Sequence, residues 1–205
     1  LKDTRSVAIL LDPPAERGIG MLSFSYDEGA RDNETWLYLS ALGRVKRLAS
    51  GSSDDETEPG SLFGSEFSTE DQDTGKLDEY EINLLEETLE SGREVWKIET
   101  IPNEKRARQS RYSRTVLYVD KERFVELRVE MYDQYGKEIK RMLGARVELM
   151  NGIWVARSTT IMNLVTNRLS NMAFLEMHTG IDVPDEFLTQ RTLTDAAFRE
   201  TELEK

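Results

Sequence analysis

Residues 36–71 read WLYLSALGRVKRLASGSSDDETEPGSLFGSEFSTED. Trp36, Leu37, Tyr38 and Leu39 form an apolar run that suits a strand buried on both sides. Leu42-Gly43 turns the chain. Arg44 to Leu48 then predicts a second short strand, with Val45, Arg47 and Ala49 on one side. Ser50 to Gly60 has the Ser/Gly/Asp/Pro composition of a mobile loop. The chain returns to apolar residues at Leu62-Phe63 and Phe67, and Ser68 is placed to cap a short helical turn through Asp71. Two strands, a long acidic loop and a capped turn argue for a sheet protein whose pieces are joined locally.

The flanks extend that reading. Strands are expected at Thr4–Leu11, stopped by Asp12-Pro13-Pro14, and at Gly18–Tyr26, with Leu22, Phe24 and Tyr26 on one face and Met21, Ser23 and Ser25 on the other. Asp27 to Asn33 reads as a polar turn. From Asp78 to Glu87, Tyr80, Ile82 and Leu84 alternate with Glu79, Glu81 and Asn83. A helix over Leu77–Leu89 competes with the strand, because Ile82, Leu85 and Leu89 would share a helical face. The alternation and the neighbouring strands favour a strand through about Leu85. Further strands follow at Glu94–Ile101, Thr115–Asp120, Phe124–Tyr132, Lys137–Met150, Ile153–Val165 and Arg168–Met177. Asn151-Gly152 between two of them is a strong signal for a type I′ hairpin turn. Pro184–Leu188 predicts a helical turn, and the charged tail 194–205 is expected to fray. The sum is about ten or eleven strands with a few short helices, in a sheet large enough that it must curl or close.

The chain has 205 residues, 38% hydrophobic and 32% charged, with a net charge of -12. That length suits one domain, expected over residues 1–193. The negative charge argues against nucleic acid as a partner. Cys is absent, so disulfides and thiolate metal sites are excluded. The single His, His178, cannot supply a conventional zinc site, and no G-x-S-x-G elbow or phosphate-cradling Gly-rich loop occurs. Asp71-Gln72-Asp73-Thr74-Gly75 resembles the start of a calcium loop, but its Gly falls one position early and no Glu closes it. Between Gly51 and Ser91 stand fourteen acidic residues and one Lys; between Glu104 and Arg114, five basic residues and one acid. These read as two solvated loops of opposite sign, or the basic loop 105–114 meets an anionic headgroup or an acidic partner. No catalytic residue, cofactor or metal is expected.

The pattern W-L-Y-x-x-x-x-G-R-x-[KR]-R, a serine-rich acidic loop, and then F-x-G-S-[DE]-F-[ST]-x-[DE]-D resembles the bacterial outer-membrane lipoprotein-sorting, LolA-like family. Tyr112 before Val116-Leu117-Tyr118, Tyr132-Asp133 before Gly136-Lys137, Trp154, and Phe187 after Pro184-Asp185 extend the likeness over about residues 5–193. It implies a mainly β fold: a strongly curved antiparallel sheet, half-open like a barrel cut lengthwise, whose concave side takes lipid acyl chains. It also implies a periplasmic location and, for many members, work beside RND/MMPL-type membrane transporters. Family members carry a signal and an N-terminal amphipathic helix; neither is visible after Leu1, so a mature or trimmed form is expected.

The expected activity is carriage without catalysis: lipid or lipoprotein acyl chains held in a hydrophobic cavity and passed towards the outer membrane. The alternative is a non-enzymatic accessory module for a transporter, with no internal ligand. Cavity candidates from the first half are Leu10, Met21, Leu22, Phe24, Trp36, Tyr38, Phe63 and Phe67. Those from the second half are Ile82, Leu84, Trp96, Ile98, Leu117, Val129, Met142, Trp154 and Phe174. An ordinary sheet core explains many of them equally well. Arg44, Arg47, Gly64, Ser65 and Glu66 carry the motif and are expected to be structural, with Arg47 pairing to Glu66 or Asp71. A monomer is expected, or a dimer joined through exposed strand edges.

Overall fold

The computed structural model describes residues 3–26, 31, 33–48, 61–72 and 76–203. The acidic loop 49–60, most of the turn at 27–33 and the calcium-like residues 73–75 lie outside the described residues. Among the described residues, eleven strands, all antiparallel, divide between a four-stranded and a seven-stranded sheet. The mainly β, antiparallel and unclosed architecture with short helices is the one the sequence predicts. The chain separates into two compact units, residues 1–53 with 180–205, and residues 54–179.

The first unit holds β1 (Thr4–Ile9), β2 (Gly20–Ser25), β3 (Glu34–Leu39) and β4 (Arg44–Leu48), paired in chain order. Gly43, at φ 60, makes the expected turn between the last two strands. Cross-strand pairing puts Val7, Leu22 and Trp36 in one row, and Arg5, Phe24 and Glu34 in the next, on a single face. Gly20 lies on that face because helix α3 (Gln190–Thr194) comes down on it. A Cβ there would stand 3.0 Å from Leu193 and 2.6 Å from Ile9. Leu22 and Leu193 are each 1% exposed, so the face is closed at this point, while Phe24 and Trp36 farther along are half-buried and Arg5 is exposed.

The second unit holds α1 (Thr69–Gln72), β5 (Tyr80–Glu90), β6 (Arg93–Pro102), α2 (Glu104–Ala107), β7 (Arg114–Asp120), β8 (Glu126–Tyr132), β9 (Glu138–Met150), β10 (Ile153–Asn163) and β11 (Arg168–Ala173). Each strand pairs with its sequence neighbour. The contest at 77–89 goes to the strand, because pairing with β6 along its length satisfies a backbone that an isolated helix would have to satisfy alone. Asn151 and Gly152, at φ 47 and 83, form the expected turn. Ser68 caps α1 as expected: its Oγ accepts from the Asp71 N–H while the Asp71 carboxylate accepts from the Ser68 N–H.

Two expectations are corrected. The tail does not fray at 194: α3 is followed by α4 (Ala196–Leu203). Asp195 caps α4 by accepting from the Phe198 N–H, and Arg191 lies 4.1 Å from the Phe198 ring, which fixes the helix start. In the basic loop, Asn103 caps α2 by accepting from the Arg106 N–H, a helical turn that the charge pattern concealed.

Candidate functional site

The seven-stranded sheet has two unlike faces, and the register assigns residues to each. Directly opposed pairs run Leu84, Ile98, Leu117, Val129, Met142, Ile161 across six strands. Five of these six are sequence-predicted cavity residues, set side by side in one apolar row. Ile82 starts the adjacent row, and Trp96, opposite Val119, continues the same face. The row deepens along its length: Leu84 is 59% exposed, Val129 5% and Ile161 0%.

One end of this face is covered by residues 61–72. Lys140, two places from Met142 on the same side of β9, donates its Nζ to the Glu66 carbonyl at 2.9 Å and to the Asp71 carboxylate at 2.8 Å. Tyr112 donates its hydroxyl to the other Asp71 oxygen. Burial first, then the Asp71 charge, pushes the Tyr112 hydroxyl far above its ordinary range, so it stays a donor. Glu66 accepts from the Asn163 amide at 2.8 Å and pairs with Arg168 at 3.0 Å, while its N–H donates to Ser170. The motif residues therefore lock this segment onto the sheet. Arg47 takes no part in that lock: it pairs with Glu34 at 2.6 Å on the adjacent strand, inside its own unit. The motif's order in sequence suggested a partner that strand pairing does not supply. Phe67 is buried beneath the segment, and Phe63 sits at φ 53 in its tight turn.

The other end of the face carries a pocket of about 350 Å³. Val129 and Met142 line it, together with Phe124, Trp154, Gly144 and Glu126. Gly144 permits a close backbone approach at the pocket's edge: a Cβ there would collide with the Glu126 carbonyl oxygen. Burial alone raises the Glu126 carboxyl above its ordinary range. Sequence reasoning passed over Glu126 and Gly144. A lone Glu in an acidic chain carries no periodic signal, and a mid-strand Gly is only a hint of close backbone approach.

The remaining candidates lie elsewhere. Leu22, Phe24, Trp36 and Tyr38 share one face of the first unit, where Phe24 and Trp36 meet edge-on at 5.1 Å. Met21 points to the opposite face, with Ala8 and Leu37. Leu10 follows β1, where its backbone pairs with Gly18 and Ile19. Arg44 is exposed at the start of β4. Gly64 sits at φ 76, and Ser65 closes the 62–65 turn onto the Leu62 carbonyl. Phe174 follows β11, its carbonyl held by Arg157. Of the basic loop, Arg106 stands over Tyr80 and Arg114 pairs with Glu99 while stacking on Tyr132 at 3.7 Å. His178 is exposed. Among the described residues, no cluster of metal-ligating side chains is found, and no helix is long and apolar enough to cross a membrane.

A family model described as "Uncharacterized protein" matches residues 2–195. No curated protein matches the sequence. Among solved structures, a putative outer membrane lipoprotein-sorting protein domain from Vibrio parahaemolyticus is similar at 26% identity and a TM-score of 0.83, over 94% of this chain and 78% of that one. A DUF1329 family protein from Desulfovibrio piger shares the fold at 24% identity and a TM-score of 0.84, with the same coverage. A LolA superfamily protein from Nitrosomonas europaea does so at 16% identity and a TM-score of 0.66, over 92% and 77% of the two chains.

Proposed function

The chain belongs to the family whose model spans residues 2–195 and has a LolA-like fold, and on that footing we propose that it is a periplasmic carrier of lipid or lipoprotein acyl chains. The observation that carries this reading is the apolar row from Leu84 to Met142 leading into the pocket at Trp154 and Phe124. A pocket of about 350 Å³ lies at the small end of the roughly 300–1,000 Å³ range of ligand sites, so it takes one end of a long amphiphile. The rest of the hydrocarbon lies along the row. Each methylene so buried contributes about 0.8 kcal/mol, enough for a long chain to bind without a polar contact. No bond is made or broken, and cargo moves by transfer to a partner that holds it more tightly.

The test is uptake of a fluorescent fatty-acid probe by the purified protein, with displacement by long-chain lipids. Leu117→Asp, which puts a charge in the middle of the row, is expected to abolish uptake. Failure of the unaltered protein to take up the probe, with no lipid co-purifying by mass spectrometry, defeats the carrier reading.

A second reading has its own observation. On β5, Ile82, Leu84 and Leu89 are 48%, 59% and 66% exposed. An exposed apolar stretch of this kind suits contact with a protein partner such as an RND/MMPL-type transporter. Ile82→Asp with Leu89→Asp would then abolish partner binding while leaving probe uptake unchanged.

A further inference from the structure

The pocket lies between two lips of different build. One is the turn ahead of β8, which lines it with Phe124, Val125 and Glu126; the other is the free end of the β9–β10 hairpin, which supplies Trp154, Val155 and Ala156. The turn is pinned. Phe124 packs on Trp96 at 5.8 Å, and Arg123 stands 3.9 Å from Asp120, which is itself fully buried. The hairpin end is held differently. β9 pairs with β8 only as far as Leu143, so among the described residues the ladder of positions 144–150 is with β10 alone.

That ladder has one gap. Met150 pairs with Ile153 and the pairing continues to Val147 with Ala156; it misses Arg146 and Arg157, and resumes at Ala145 with Ser158. Arg146 stands at φ 51 and, among the described residues, is the one non-glycine residue inside a strand with left-handed backbone. A hinge needs only a few residues that absorb a change in φ and ψ, and an unpaired, strained residue in mid-strand is such a place. Below the gap the chain is fixed, because Gly144 lies against the Glu126 carbonyl with no room for a Cβ. Above it, side chains hold the outer edge to one segment: Asn151 donates to Thr179, and Arg157 to the Phe174 and Leu175 carbonyls. Arg123 joins one lip to the other, 5.0 Å from the Trp154 ring.

We infer that residues 147–156 are a lid on the pocket, hinged at Arg146 and Arg157 and latched by Arg123 on the Trp154 ring. Swinging out carries Trp154, Val155 and Ala156 away from Phe124 and admits a chain end. Swinging back closes the pocket over it, and segment 174–179 moves with the lid. The inference rests on the carrier reading and adds how the site is opened. One cation–π contact near the surface is a weak latch, so it can be released at each transfer.

The experiment exploits the absence of cysteine from the chain. Phe124→Cys with Ile153→Cys puts one exposed thiol on each lip. A short bismaleimide joins the two, whereas N-ethylmaleimide caps them without joining. Uptake and release of a fluorescent fatty-acid probe are timed by stopped flow. Joined protein is expected to exchange the probe at least about tenfold more slowly than capped protein. Arg123→Ala is expected to release it about threefold faster than unaltered protein, the worth of one exposed cation–π contact, while Arg123→Lys, which keeps a cation, stays within about twofold. Equal rates in joined and capped protein overturn the lid and leave the carrier reading standing. An unchanged release rate in Arg123→Ala overturns the latch.

Hydrogen exchange reads the lid with no ligand present. Amides of residues 147–156 are expected to exchange faster than those of 158–163 across the gap, and about threefold faster again in Arg123→Ala, with the β6–β7 ladder unchanged. Equal exchange on the two sides of the gap, or a lid that ignores Arg123→Ala, overturns the inference. If the unaltered protein takes up no probe, the carrier reading fails, and this measurement alone decides the lid.

Discussion

The two faces of the seven-stranded sheet solve the same burial problem in opposite ways. On one, Val95, Val116 and Tyr118 form a small core roofed by the unit's own charged side chains. Lys97 and Arg128 lie 5.6 and 4.9 Å from the Tyr118 ring, Lys97 pairs with Glu86, and Arg114 pairs with Glu99 across to β6. Long cationic stems cover apolar surface while their heads stay paired and wet. On the other, the row from Leu84 to Ile161 has no such roof of its own. Segment 61–72 covers one end, and the pocket occupies the other. The difference teaches that side-chain cover closes a sheet face permanently, whereas cover by a locked segment leaves part of the face for a guest.

The comparison is broken most severely at the lock. Asp71→Ala removes the partner of buried Lys140 and the acceptor of Tyr112, and frees the Ser68 N–H. Leaving a buried charge unpaired costs about 3–5 kcal/mol, so the denaturant midpoint should fall steeply and a dye for exposed apolar surface should bind. An unchanged midpoint would mean that segment 61–72 does not hold the face shut. Gly144→Ala is next. Its Cβ must displace the Glu126 backbone, a cost of about 1–3 kcal/mol, with probe binding lost in proportion.

Acid probes the charged face. Arg93 grips both Asp120 oxygens, at 2.8 and 3.0 Å, and the Glu122 and Arg123 N–H groups donate to the same carboxylate. Together they hold the Asp120 carboxyl at about 2, with Arg93 the largest cause. A carboxyl depressed on folding contributes stability above its unfolded value near 4, and that contribution is lost as pH falls from about 4 towards 2. Melts over that window should show a loss of about 1–2 kcal/mol that Asp120→Asn no longer shows.

The smallest effect has the opposite sign. Burial raises the Glu126 carboxyl, so its native form favours the proton; stability is present below the unfolded value and is lost as pH rises through the folded one. Glu126→Gln should therefore stabilise the empty protein at neutral pH only slightly, because water reaches the exposed side chain, with the gain fading near pH 4. No gain at neutral pH would show that the carboxylate is already compensated.

Local chemistry was legible in the sequence. The Ser68 cap, the Asn151-Gly152 turn and the alternation at Ile82 and Leu84 are short-range signals, and each appears where the residues placed it. The row itself was half legible: alternation marks Ile98, Leu117 and Val129 as inward on their own strands. Only the register aligns them with one another, and register depends on turn lengths and bulges across five hairpins. The lock was not legible. Asp71 and Lys140 stand 69 positions apart, and nothing in either neighbourhood selects the other. Composition does not separate the two units: Leu22, Phe24 and Trp36 are as aromatic and apolar as any pocket wall, yet Leu193 of α3 closes the face beside Leu22 while Arg5 and Arg47 stand over the Phe24 and Trp36 rings, and no periodicity announces that cover.

The irregularity in β5 between Leu84 and Glu86 has a consequence for the protein when it is empty. β5 ends the hydrogen-bonded order of its sheet, and a flat strand there bearing Ile82, Leu84 and Leu89 would template stacking with another copy. The extra residue bends the strand and turns Glu86 towards Lys97 and Glu87 towards Lys121, so the rim presents a kink fringed with acid. A straightened rim would invite self-association, and the bulge lets greasy residues wait in water without fibrillar company.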